Sequence, residues 1–297
     1  MPRAHFPSIL VAALAATASA QLDNATFYLI QGDGKLFSGQ FGTRHGSLVG
    51  DTGLRNASGF LDFDASGNLY GSGFLSLTPG DYGFVKINPT NAGTSGSVSM
   101  NSVAPAFGLA MQDDRTAIVV GQTAAPGPQV IQRYDVVTGE LLSSVDMQSG
   151  TRSRFGWELR SDGKIITASN NTGEFQIIDP ITGAVSSLGA APGRIYGWTT
   201  YGGATFFGMR DTDLGSPYSV YTIDPYTGSY AFVADLGGEF QADIDTIFGF
   251  AFLPDGGTLI AGDLPPLPSP GTLLAVSALG LVVGRRRRFG MPTEQHA

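Results

Sequence analysis

The sequence predicts an all-β fold over residues 21–263, a five-bladed β-propeller. Three observations carry that prediction. A phrase of aromatic, glycine and alternating apolar residues recurs along the chain, and a second recurring phrase follows it. Equivalent aspartates, Asp135, Asp179 and Asp224, then stand 44 and 45 residues apart. A period near 45 residues with four short strands per repeat is the signature of a propeller blade.

The opening phrase reads AFGLAMQDDRTAIVVG from Ala106, RFGWELRSDGKIITA from Arg154, IYGWTTYGGATFFG from Ile195 and IFGFAFLPDGGTLIAG from Ile247. A looser copy, SGFLDFDASGNLYGSG, begins at Ser58. In each, two alternating runs flank a short turn: Ser66-Gly67, Asp114-Arg115, Asp162-Gly163, Gly202-Gly203 and Asp255-Gly256. Glycine takes the positive φ that tight hairpins demand, so these are two-stranded units.

The closing phrase appears from Tyr82, Val130, Glu174 and Val220, again as two strands about a turn. Pro180 and Pro225 preset φ there, and Asp179, Asp224, Gly183 and Gly228 satisfy or relax the bend. Five openings meet only four closings. The missing hairpin is TFYLIQGDGKLFSGQFG, Thr26 to Gly42, with its turn at Gly32-Asp33-Gly34. The last blade is therefore expected to be built from both ends of the domain, this hairpin closing against Phe248 to Gly262. That arrangement pairs strand edges which would otherwise be exposed. A β-sandwich would not require a repeated phrase. The repeats resemble the broad propeller superfamily of Kelch, NHL and lactonase-like proteins, which hosts enzymes, ligand sites and scaffolds alike.

The two ends read differently. Residues 1–20 have the grammar of a signal peptide: a polar start with Arg3 and His5, an apolar core from Ile9 to Ala16, and a small-x-small site at Ala18-Ser19-Ala20. Gln21 is then the mature start. At the other end, Pro268-Ser269-Pro270-Gly271 closes a proline-rich linker over 264–271. The uncharged run Thr272 to Gly284 follows as a short transmembrane helix, and Arg285, Arg286, Arg287 and Arg288 open a basic cytoplasmic tail over 285–297. Clustered cations stay on the cytoplasmic side, so the leader and the arginines define one consistent topology.

Proline-glycine, short apolar helix and arginine cluster together resemble the PEP-CTERM sorting tail, over about the last thirty residues. Ser269 stands where that family usually has glutamate, and Phe289 to Ala297 extends past the arginines, which makes this a proline-variant tail. The resemblance implies an exosortase-type processing enzyme as partner and an inner-membrane intermediate. It also implies display at the surface or release, in association with extracellular polysaccharide.

Composition narrows the function. With Arg3, Arg285 to Arg288 and Glu294 set aside, 12 basic and 24 acidic residues remain, a net charge of −12. That disfavours nucleic acid, whose phosphates need clustered lysine and arginine. There is no cysteine, so the domain is held by its core and strand ladders alone. Of three histidines only His45 falls within the domain, in the Gly-rich stretch GTRHGS read as a solvated loop. One imidazole and no thiolate make neither a multi-histidine metal site nor a clustered acid–base pair, so no cofactor, metal or catalytic residue is assigned. Asp211-Thr212-Asp213 and Asp243-Ile244-Asp245 are too short to hold calcium by themselves.

Carboxylates are the remaining catalytic currency. Asp62 and Glu158 occupy equivalent places in the opening phrase, where the other repeats have Ala110, Thr199 and Ala251. Facing each other across a funnel, they would suit a carboxylate-based glycan hydrolase or lyase. Trp157, Trp198 and Phe250, just before those places, form a candidate ligand platform, since aromatic faces stack on sugar rings. Large residues at a repeated position also wedge neighbouring blades apart. The favoured expectation is a non-enzymatic surface or matrix protein, with the glycan-cleaving enzyme as its rival.

Overall fold

A computed structural model of the chain describes residues 22–55, 60–64, 66–75, 81–100, 106–122, 129–148, 154–169, 172–210, 218–239 and 247–253. The chain divides into two units, Met1–Asp263 and Leu264–Ala297, and every described residue belongs to the first. The signal peptide, its cleavage site, the Asp255-Gly256 turn, both short aspartate loops and the whole sorting tail lie outside the described residues. Among the described residues no helix is long and apolar enough to cross a membrane.

The described residues form twenty strands. The first three are β1 (Thr26–Gln31), β2 (Lys35–Gln40) and β3 (His45–Asp51). Next come β4 (Leu61–Phe63), β5 (Leu69–Phe74), β6 (Tyr82–Ile87) and β7 (Thr94–Ser99). The following group is β8 (Ala106–Met111), β9 (Thr116–Gln122), β10 (Gln129–Asp135) and β11 (Leu141–Asp146). After it stand β12 (Arg154–Leu159), β13 (Ile165–Ser169), β14 (Glu174–Ile178) and β15 (Val185–Ala190). The last are β16 (Ile195–Tyr201), β17 (Ala204–Arg210), β18 (Tyr218–Ile223), β19 (Tyr230–Gly238) and β20 (Ile247–Phe252).

β4–β7, β8–β11 and β12–β15 are separate four-stranded antiparallel sheets. An eight-stranded sheet joins two further quartets, β16–β19 and β20-β1-β2-β3, through a short parallel contact that pairs Gly237 with His45 and Gly238 with Gly46. Inner strands β4, β8, β12, β16 and β20 each lie against the next, and β20 lies against β4, so the order returns to its start. This is an all-β, propeller-like fold.

The closing quartet departs from expectation in its share of strands. The Thr26–Gly42 hairpin is present as β1 and β2, and β1 pairs with β20, Tyr28 opposite Ala251. The fourth strand is also N-terminal: β3 pairs with β2, Lys35 opposite Asp51. β1 has both edges taken, by β20 and β2, so the quartet draws three strands from one end and one from the other. His45 accordingly opens a strand rather than sitting in a loop, and its side chain is exposed.

Burial explains the sequence pattern of each strand. β13 is buried at every position, and β9 at all but its first, because sheet faces covered on both sides select continuous apolar runs. The outer strands β7, β11 and β15 are mostly exposed. Five apolar clusters fill the seams between successive quartets. One packs Tyr28, Ile30 and Leu36 against Leu61, Phe63 and Val85, and thus seals the last quartet to the β4–β7 quartet.

Turns fix the register. Asp135 Oδ1 accepts the amides of Val137 and Thr138, both at 2.9 Å. Asp179 Oδ1 does the same for Ile181 and Thr182, and Asp224 Oδ1 for Tyr226 and Thr227. Gly139, Gly183 and Gly228 then turn the chain at φ of +75°, +71° and +74°. Each of these tips rests on the outer strand of the preceding quartet. A Cβ on Gly183 would stand 2.1 Å from Asp146 O, and one on Gly228 would stand 3.2 Å from Leu188 Cβ.

Candidate functional site

The recurring glycine of the opening phrase is a slot for its neighbour. A Cβ on Gly108 would lie 0.8 Å from Trp157 Nε1, one on Gly156 2.6 Å from Trp198 Cδ1, and one on Gly197 2.6 Å from Phe250 Cβ. β8, β12 and β16 thus each give up a side chain where the next inner strand sends in an aromatic residue. Trp157, Trp198 and Phe250 are consequently 4%, 3% and 0% exposed. All three also line one narrow cavity with Phe60, Leu61 and Leu109, which has room for about one water molecule. The indole Nε1 groups of Trp157 and Trp198 are buried there without a hydrogen-bond partner among the described residues. The three residues meet, therefore, but with their rings seated between quartets.

One residue further along, three of the five inner strands carry a polar side chain, and together these make a polar belt. Asp62 accepts the amide of Phe63 on its Oδ1 at 2.8 Å, and that of Met111, in the next quartet, on its Oδ2 at 2.6 Å. Glu158 Oε1 accepts the Leu159 amide at 3.2 Å, and the Thr200 hydroxyl of the next quartet also bonds its carboxyl. Thr199 Oγ1 accepts the Phe252 amide at 3.2 Å. An innermost strand has a free edge, and its buried amides need acceptors. These three side chains supply them, two directly across a seam, while Ala110 and Ala251 occupy the remaining places.

The two carboxyls feel each other although 96 positions separate them in sequence. Glu158 is 8% exposed. Loss of water on burial raises its pKa well above the usual carboxylate range, the charge of Asp62 raises it further, and the Leu159 and Thr200 hydrogen bonds oppose the rise. Asp62 is pushed up to about 7, first by burial and then by nearby Asp64, against the pull of its two amide donors. Burial and mutual repulsion thus both disfavour full ionisation of the pair.

Sequence reasoning placed Asp62 and Glu158 at equivalent positions and the structure brings them into one belt. It missed Thr199 and Thr200 as members. The available signal was that Thr199 occupies the same place in its repeat as the two acids. Asp179 and Asp224 are turn residues, their carboxyls committed to local amides. No three of the described histidine, aspartate and glutamate side chains gather where they could hold a metal ion.

No protein-family model matches the chain, and no curated protein resembles it in sequence. Among solved structures, a protein of unknown function from Bacteroides caccae is 14% identical, with TM-score 0.45, over 72% of this chain and 73% of its own. TolB from Acinetobacter baumannii is 12% identical, with TM-score 0.48, over 86% and 74%. A nidogen/laminin complex chain is 11% identical, with TM-score 0.45, over 77% and 98%.

Proposed function

We propose that the chain is an exported surface or matrix scaffold, a five-bladed propeller handled at the membrane through its C-terminal tail and displayed or released without catalysing a reaction. The cyclic contact of the five inner strands supports five blades. The opposed signals at Ala18-Ser19-Ala20 and at Pro268 to Arg288 support export and an exosortase-type partner. One observation carries the non-catalytic reading. Both oxygens of Asp62 are already taken by backbone amides of two blades, and Glu158 is buried in the same belt. Such acids tie blades together beneath a cavity too narrow for a sugar ring.

The rival reading, a carboxylate-based glycan hydrolase or lyase, draws on the interaction of the two acids, since a carboxyl whose pKa is raised by burial and a neighbouring acid suits a general acid. A panel of extracellular polysaccharides incubated with the mature protein distinguishes them. Retention on at least one polysaccharide with no reducing ends released, in both wild type and Glu158→Gln, is expected. Release of reducing ends by wild type and its loss in a folded Glu158→Gln would establish the enzyme. Tail function is tested separately, by neutralising Arg285 to Arg288 and fractionating cells: unchanged membrane retention would end the sorting reading.

A further inference from the structure

Val137, Ile181 and Tyr226 occupy the same place in three successive outer hairpin turns, 44 and 45 residues apart. They are 76%, 71% and 51% exposed, the first two more than any other large apolar side chain among the described residues; Leu48, Leu142 and Phe232, on outer strands, are about half exposed. Each follows an aspartate whose carboxylate fixes the amides of the tip, so Val137 and Ile181 are presented on rigid turns, while the Tyr226 ring lies against Arg160 with its hydroxyl bonded to Ser161. The corresponding turn of the β4–β7 blade is polar, with Thr90 hydrogen-bonded to Asn88.

Strand direction says which end of the ring these tips mark. Alternate strands of an antiparallel blade run the same way, so β14 ends at the face where β12 ends. A direct contact agrees: the Arg160 guanidinium, just past β12, lies 4.1 Å from the centre of the Tyr226 ring and donates to Pro225 O at 3.0 Å. The inner strands are in register, as the bonds from Met111 to Asp62 and from Phe252 to Thr199 show, so β20 ends at that same face. The described chain therefore leaves at Leu253 on the face that carries the three apolar tips.

From Pro254 the sequence runs 18 residues to Gly271, a contour of at most about 60 Å, before the apolar stretch Thr272 to Gly284 begins. We infer that this face docks on the lipid bilayer in which the tail is held, with Val137, Ile181 and Tyr226 entering the headgroup region. The inference rests on the sorting reading of the tail. Two aliphatic tips and a tyrosine suit the interface, where an apolar body and a polar end are both satisfied. Carboxylates exceed cations on the turns of this face: Asp64, Asp135, Asp179 and Asp224 add to Asp113, Asp114 and Asp162, against Arg115, Arg160 and Lys164. The surface thus fits zwitterionic lipid and gains nothing from anionic lipid. Three side chains bind weakly alone, and the tether supplies the effective concentration.

Because the chain lacks cysteine, a single one reports cleanly. Ile181→Cys and Thr172→Cys, the latter at the opposite end of its blade, are labelled with an environment-sensitive fluorophore in the full chain. Each is reconstituted into phosphatidylcholine vesicles, with a parallel chain whose residues 272–288 are replaced by an unrelated single-span helix. Vesicle flotation reports anchoring, and quenching by lipid-borne spin labels reports docking. Expected are flotation, a blue shift and quenching at position 181 but not at 172, and loss of that quenching on Val137→Asp with Tyr226→Asp. Equal, water-like emission at 181 and 172 in floated chain overturns the docking. Failure of the native tail to float overturns the sorting reading, and docking is then decided by the same comparison in the substituted chain. A concentration-dependent shift at 181 without vesicles overturns the lipid in favour of a second copy.

Discussion

Neighbouring blades meet twice, near the axis and again at the rim, and the two junctions are built on different principles. Near the axis an aromatic residue enters a place where the adjoining strand has no side chain, and the Asp62 carboxyl and the Thr199 hydroxyl take up amides across the seam. At the rim a hydrogen-bonded turn rests on an exposed strand, as where Gln148 N donates to Gly183 O at 3.0 Å and Gln148 Nε2 to Thr182 O at 2.9 Å. The inner junction is specified by volume and the outer one by turn geometry. Volume errors in a close-packed interior cannot relax, whereas a turn at the surface can trade a lost bond for water.

The largest expected effect comes from filling an inner slot. Gly108→Val places atoms where the Trp157 indole stands, and it should destabilise the domain by more than about 4 kcal/mol or prevent folding. Soluble yield and a denaturant melt decide it, and a melt within about 1 kcal/mol of wild type would dissolve the distinction between the junctions. Emptying the slot from the other side is the milder experiment. Trp157→Ala should cost about 3–5 kcal/mol. Combined with Gly108→Ala it should show a coupling of about 0.5–3 kcal/mol, read from a double-mutant cycle.

The polar belt predicts a pH dependence with a definite sign. Asp62 and Glu158 both titrate higher in the folded chain than in the unfolded one, so the folded state binds protons more tightly. Their contribution is fully present below the ordinary carboxylate range and is lost as pH rises through about 7 for Asp62. Thermal melts should therefore shift upward from pH 8 to pH 5, and the shift should shrink in Glu158→Gln. That window stays clear of Asp135, held at about 2 by the Thr138 amide and the Arg115 guanidinium, whose contribution operates above pH 3.8 and is lost only as pH falls through about 2. Asp62→Asn retains one acceptor oxygen for two amides and should cost about 1–3 kcal/mol at pH 5.

At the rim the effects should be small. Asp179→Ala leaves the Ile181 and Thr182 amides to water and should cost about 1 kcal/mol, measured by urea unfolding. Ile181→Ser touches nothing buried and should lie within about 0.5 kcal/mol of wild type. A rim substitution as damaging as Trp157→Ala would break the comparison.

The same contrast governs what could be read beforehand. Asp135, Asp179 and Asp224 announce themselves because a turn is a local event, written in adjacent residues. The glycine before Trp157 and Trp198 is visible as a repeat, but the residue that fills its slot belongs to another quartet, and the sequence does not state which. β3 escaped notice because a strand at the rim is exposed on most of its length, and HGSLVGD shows no apolar alternation. Asp62 and Glu158 could be matched by position, yet their mutual influence depends on a ring that only folding closes. Thr199 carries no chemical flag at all until Phe252 N is seen to need it.

The pairing of β1 with β20 sets an order of events. Ribosomes deliver residues from the N-terminus, so Phe27 to Gln31 emerge first, while the partners that cover them, Ile247 to Phe252, emerge last. For nearly the whole of synthesis the first strands carry an open hydrogen-bonding edge and an apolar face with no permanent mate. Four quartets of strands can assemble as they appear, each from contiguous chain, but the pairing of β1 with β20 forms only when that strand is released. Nascent chains cut short before residue 247 should accordingly accumulate as sticky, protease-sensitive arcs, and the six residues of β20 act as the latch that turns them into a protein.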